Sequence, residues 1–168
     1  SWDTSSVTDM SQMFHNARAF NQNIGSWNTS SVTDMDQMFR DARAFNNGGS
    51  NSINNWDVSS VTAMNDMFTG TSTTFNQDIG NWDTSNVTNM SSMFAYNTAF
   101  NQDIGNWNTS KVITISTMFR GSTAFNQDLS GWCVPDIGSD ILGIKCFHWS
   151  IVVPNLYMQS NLVVFPVL

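Results

Sequence analysis

The sequence predicts an α/β repeat fold, a solenoid whose turns of about 25 residues carry short parallel strands on one face and short helices on the other. The first observation is a phrase that returns. Phe75-Asn76-Gln77-Asp78-Ile79-Gly80-Asn81-Trp82 is repeated over Phe100 to Trp107 and, with small changes, over Phe125 to Trp132. The second is the register of the tryptophans: Trp2, Trp27, Trp56, Trp82, Trp107 and Trp132 are spaced 25, 29, 26, 25 and 25 residues apart. Self-similarity at such a period marks stacked units, each covering its neighbour's apolar surface. The third is a change of hydrophobic rhythm within each unit, from alternation to spacings of three and four.

The elements follow in order along a unit. Trp82-Asp83-Thr84-Ser85 alternates apolar, polar, β-branched and polar, the pattern of a short strand with Trp and Thr inward and Asp outward. Val87-Thr88-Asn89-Met90-Ser91-Ser92-Met93-Phe94 places Met90, Met93 and Phe94 on one helical face. A helix that short must lean on its neighbours. A polar turn leads to Phe100 and closes the cycle. All methionines but Met158, and all phenylalanines but Phe147 and Phe165, occupy these fixed positions. That distribution reads as core rather than as a Met-rich groove. The two long spacings have local causes. Asn46 to Ile53 holds four extra residues rich in Gly and Asn, and Gly70 to Thr74 holds one, so both are read as loops outside the core register. Asn21, Asn46, Asn76, Asn101 and Asn126 each follow Phe, and are expected to form an inward ladder bonding the backbone turns above and below.

Residues 1–134 therefore form the repeat solenoid, five full units and a sixth strand, and residues 135–168 an atypical apolar cap or tail. The tail is broken by Lys145, Pro154 and Asn155, which argues against a membrane span. Cys133 and Cys146 are candidates for a local disulfide, with free buried thiols as the alternative. The chain opens at Ser1-Trp2 inside a repeat, so a fragment or processed form is expected, with any membrane anchor outside it.

The motif Trp-Asp-Thr-Ser-x-Val-Thr-x-Met-x-x-Met-Phe, followed by Phe-Asn-Gln-Asp-Ile, resembles the BspA-type leucine-rich repeat of bacterial and protist surface proteins, including mycoplasma-type surface lipoproteins. The resemblance covers about residues 1–134. It implies a leucine-rich-repeat-like right-handed solenoid, an extracellular or cell-surface location, and an adhesion-like role.

Composition narrows function from another side. Net charge is −7, which disfavours nucleic acid, and the six basic residues look scattered, with only Arg40 and Arg43 close together. Every acid is Asp, a residue of turns. The leading expectation is a non-enzymatic module that binds protein or glycan through the outward strand column Asp3, Asn28, Asp57, Asp83 and Asn108. The alternative is a structural subunit that packs on neighbouring copies through an uncapped end and the apolar tail. A second carboxylate column, Asp78, Asp103 and Asp128, suits turn capping first and Ca²⁺ bridging second. Ice binding is disfavoured because Thr4, Thr29, Thr84 and Thr109 should face inward. No other cofactor is expected. For catalysis the inventory is thin: His15 and His148 are the only histidines, His15 in an ordinary exposed position, and no nucleophile set, phosphate loop or metal spacing occurs.

Overall fold

The computed structural model describes residues 2–71 and 74–134. Counting each unit from its Trp, the units run over residues 2–26, 27–55, 56–81, 82–106 and 107–131. They lie one upon the next with equivalent positions together. Parallel bridges join Asp9 to Asp34, Asp34 to Ala63, Ala63 to Asn89, and Asn89 to Thr114, one residue per unit.

The backbone between Thr and the second Phe of each unit explains this stacking. In the first unit the N–H groups of Met10, Gln12, Phe14 and Asn16 donate to Asp34, Asp36, Met38 and Arg40 of the second, at 2.8–2.9 Å. The intervening N–H groups of Met13, His15 and Ala17 turn inward to the carbonyls of Met10, Gln12 and Phe14 at 3.0–3.3 Å. Alternate donors thus serve the neighbour and the turn. The same rows continue through Met35, Gln37, Phe39 and Asp41, then Met64, Asp66, Phe68 and Gly70, then Met90, Ser92, Phe94 and Tyr96.

The short helices expected here take a different form: among the described residues no α-helix occurs, and the Met-x-x-Met-Phe segment is a ribbon of consecutive turns. Its geometry requires left-handed residues at fixed places. Gln12, Gln37, Asp66, Ser92 and Thr117 have φ of 55–56°, and Asn16, Asp41, Gly70, Tyr96 and Gly121 have φ of 57–71°. An α-helix would keep φ negative and bond every N–H to its own segment. A segment this short gains little from internal helical bonds. Sending every second N–H to the next unit satisfies the backbone through stacking instead. The ribbon still turns Met and Phe inward, which is why spacing alone suggested a helix.

The strand over Trp-Asp-Thr-Ser also differs. Thr4, Thr29, Thr84 and Thr109 are buried and Asp or Asn is exposed, as the alternation implied, while the Trp beside them is buried at Trp82 and Trp107, half-buried at Trp27 and exposed at Trp2. The carbonyl of that Thr, however, accepts the Val three residues on at 2.9–3.0 Å and closes a turn. The bridge ladder forms five residues after that Thr, at Asp9 and its equivalents.

Side chains fill the interior in files. Phe14, Phe39, Phe68, Phe94 and Phe119 stack at 5.5–5.7 Å, and Phe20, Phe45, Phe75, Phe100 and Phe125 at 5.8–6.1 Å. The indoles stack from Trp56 through Trp82 and Trp107 to Trp132 at 6.2–6.3 Å, and Trp2 pairs separately with Trp27 at 5.8 Å. Each indole N–H from Trp56 onward donates to the carbonyl of the Ile that precedes the previous Trp: Ile24, Ile53, Ile79 and Ile104 at 3.0–3.2 Å.

The insertion in the second unit forms two short 3₁₀ segments, Asn47–Gly49 and Asn51–Asn55. Fully buried Asn47 holds it, accepting from Ile24 N at 2.9 Å and donating to Ser50 O at 2.6 Å. The expected C-terminal cap or tail over 135–168, with Cys146 and His148, lies outside the described residues. Cys133 is disulfide-bonded.

Candidate functional site

The outward column Asp3, Asn28, Asp57, Asp83 and Asn108 is exposed, but it is not on the bridge ladder. Each side chain accepts the backbone N–H of the Ser two residues on, at 3.0–3.1 Å. Ser30 and Ser59 add their hydroxyls to Asn28 and Asp57 at 2.7 and 2.6 Å. The Ser5 hydroxyl and backbone hold the Asp3 carboxyl below its ordinary range, and Ser85 does the same for Asp83. These are turn caps, and one oxygen of each is already committed.

The second column behaves alike. Asp78, Asp103 and Asp128 accept the backbone N–H two residues on, at 2.8–2.9 Å, and Asp78 also takes Asn54 Nδ2 at 3.1 Å. Among the described residues no three acidic, His or Cys side chains converge to hold a metal ion.

The Asn ladder is at the surface rather than inward. Asn21, Asn76 and Asn126 are exposed, and Asn46 and Asn101 half-buried. The Oδ1 of Asn21, Asn46, Asn76 and Asn101 accepts the backbone N–H of the next Asn in the file at 2.8–3.3 Å. The same oxygens of Asn46, Asn76 and Asn101 accept the next unit's Gln Nε2 at 2.7–3.0 Å. Where the insertion displaces that Gln, Gly48 N–H takes its place on Asn21 at 2.9 Å.

A third place was not singled out from the sequence. A cleft of about 360 Å³ is lined by Arg40, Asp41, Arg43, Thr69, Gly70 and Tyr96, from the second, third and fourth units. The left-handed corner builds its floor. A Cβ at Gly70 would lie 2.6 Å from Asp41 Oδ1, so the glycine leaves room for the aspartate of the unit before. A Cβ at Gly121 would lie 2.8 Å from Tyr96 Cδ1, so the phenol ring rests on that glycine's backbone. Tyr96 itself has φ 57° where the other units carry Asn, Asp or Gly, an uncommon conformation for a bulky residue. It is 50 % exposed, and the Arg120 guanidinium lies over its ring at 5.6 Å. Arg40 reaches Asp66 at 3.9 Å and Gln37 at 3.4 Å.

The basic residues thus look scattered only along the chain. Arg40 and Arg120 share the corner position of His15, and Arg18 and Arg43 share the position three residues on. His15 is half-buried rather than exposed. Aligning all units on Trp, rather than scanning for near neighbours, would have exposed this grouping.

Stacked turn-built units, with an open polar cleft at one corner, define a tandem-repeat protein. The chain belongs to the family described as Mycoplasma protein of unknown function, DUF285, whose model matches residues 1–51 and 48–141. No curated protein and no solved structure matches. Among the described residues no helix is long and apolar enough to cross a membrane.

Proposed function

We propose that the chain is the non-enzymatic binding module of a cell-surface or secreted protein, a solenoid of BspA-type leucine-rich-repeat kind that takes a protein or glycan ligand in an adhesion-like role. The observation that carries the reading is the Arg40, Arg43 and Tyr96 cleft. Elsewhere the recurring Asp and Asn side chains cap turns and join units, so their hydrogen-bonding capacity is partly used internally. At the cleft a strained, half-exposed aromatic side chain stands beside two guanidinium groups, and backbone strain of that kind gathers at functional positions. Family membership supports the repeat character and carries no activity with it.

The test is binding of the 168-residue chain to immobilised extracellular-matrix proteins and to a glycan array, beside two variants. Tyr96→Asn removes the ring and keeps a residue that accepts the left-handed backbone. The double change Asp57→Asn with Asp83→Asn alters the outward column. The reading expects ligand capture that Tyr96→Asn reduces at least tenfold and the double variant leaves intact. Capture lost only in the double variant moves the site to that column, and no capture at all overturns the binding role.

A further inference from the structure

We propose that this cleft recognises a saccharide carrying a single anionic group, a carboxylate or a sulfate ester; the inference rests on the binding reading above and names its ligand class.

Charge is the first observation. The chain carries −7, yet of the five basic residues in the described segments four, Arg18, Arg40, Arg43 and Arg120, lie along one corner. Backbone bonds place equivalent corners side by side: Asn16 N donates to Arg40 O at 2.8 Å, Ala44 N to Arg18 O at 3.1 Å, and Tyr96 N to Arg120 O at 2.6 Å. Three of these guanidiniums, Arg18, Arg43 and Arg120, enter no ion pair among the described residues. Among the described residues Arg40 with Asp66, at 3.9 Å, is the one ion pair, and exposed Arg43 takes part in none. A planar guanidinium at an open cleft suits a carboxylate or sulfate, which it can bind through two parallel N–H groups.

The ring is the second observation. Arg120 and Gly121 belong to the unit after Tyr96, and the other cleft residues belong to the units before it. Tyr96 thus lines the cleft while its ring is held by Arg120 and Gly121 of the following unit. Tyr buries apolar area at low entropic cost while its hydroxyl stays wet, which suits the C–H face of a sugar.

The third observation decides between ligand classes. The lining holds one aromatic ring, two Arg, one Asp, one Thr and one Gly, and no aliphatic side chain. A peptide anchor would need an apolar pocket for its side chain. Asp41 points the same way: it lines the cleft, and a carboxylate there accepts hydroxyl donors and repels a dense polyanion. Ring face, hydroxyls and one negative charge together describe an acidic sugar. The volume, about 360 Å³, lies near the lower end of the ~300–1,000 Å³ typical of small-ligand clefts.

The experiment is calorimetric titration of the full chain with 3′-sialyllactose, 3′-sulfated lactose, lactose, inorganic sulfate and hexa-aspartate. The expected result is binding of at least one anionic trisaccharide or sulfated disaccharide, with lactose and sulfate each at least tenfold weaker. Arg43→Gln should bring the anionic sugar down to the affinity of lactose, and Tyr96→Asn should weaken both sugars. Unchanged far-UV circular dichroism checks that both variants fold. Whichever anionic sugar binds assigns the carboxylate or the sulfate. Equal affinity for lactose and the anionic sugars removes the Arg role and overturns the inference. Sulfate binding as tightly as any sugar, or hexa-aspartate binding while the sugars do not, overturns it too. No saccharide binding, with protein capture still sensitive to Tyr96→Asn, refutes the ligand class and leaves the site standing. Insensitivity of every ligand to both variants removes the site itself.

Discussion

Replacing Trp107 by Phe tests whether the units are joined by the indole file. Trp107 is 3 % exposed, lies between Trp82 and Trp132 at 6.3 Å from each, and donates its Nε1–H to Ile79 O at 3.1 Å. The Ile79 carbonyl also accepts Trp82 N at 3.2 Å, so Trp107→Phe removes a second bond without orphaning the acceptor. That loss is worth about 1 kcal/mol. The ring atoms missing from the phenyl group leave a small void in a stacked file, costing roughly another 1–2 kcal/mol in transfer and cavity terms. The expected total is about 2–3 kcal/mol. The control is Trp2→Phe: Trp2 is 68 % exposed and stacks on Trp27 alone, so about 0.5 kcal/mol or less is expected. Urea denaturation followed by circular dichroism gives both midpoints and slopes. Equal effects of the two changes would refute the claim that indole bonds tie one unit to the next.

Gly121→Ala places a methyl group 2.8 Å from Tyr96 Cδ1 at a φ of 71°, so a loss of about 1–3 kcal/mol is expected in thermal melts, together with weaker ligand binding if the ring is displaced. Asp36 behaves oppositely to the turn caps. Burial, and then the neighbouring Asp34, raise its pKa above the ordinary carboxylate value, so its contribution to stability is favourable in acid and lost as pH rises through the folded-state value. Asp36→Asn should therefore raise the melting temperature at pH 7 and have no effect near pH 3, and a destabilising effect at pH 7 would contradict this. Asp3 and Asp83 are held low by Ser5 and Ser85, so their contribution is present above the unfolded-state pKa and fades as pH falls through the lowered folded-state value. Asp83→Ala should cost stability at neutral pH and little in strong acid, measured by melts across pH. Calcium added after chelation should leave the melting temperature unchanged, because Asp78, Asp103 and Asp128 each serve a backbone N–H of their own turn.

The sequence told inward from outward with some accuracy, because burial alternates with the same pattern whatever the backbone does. Met90, Met93, Phe94, Trp82 and Thr84 are all buried. What it did not reveal was the backbone conformation. Spacings of three and four arise in a helix and equally in a chain of turns whose left-handed residues, such as Gln12 and Ser92, carry side chains that give no such warning. The ladder position was missed for a related reason: the side chains of Asp9, Asp34, Asn89 and Thr114 cap turns, as Asp and Asn do elsewhere in the unit, and Ala63 caps none, while the bridge is made by their backbones. The cleft was hidden because its residues come from three units, and Tyr96 is exceptional only beside the Asn, Asp and Gly that fill its position elsewhere.

The bonds that join one unit to another recur at the same positions in successive copies: Asn to the following Asn, Thr to the following Thr, each indole to the Ile of an earlier copy. A gene that gains or loses one whole copy therefore alters the length of the protein while every surviving copy keeps the partners it had. A duplication out of phase by a single codon would set Asp where indole is required. Length can drift in steps of one repeat, while the four residues added between Asn46 and Ile53 mark how much irregularity a single copy absorbs at its rim.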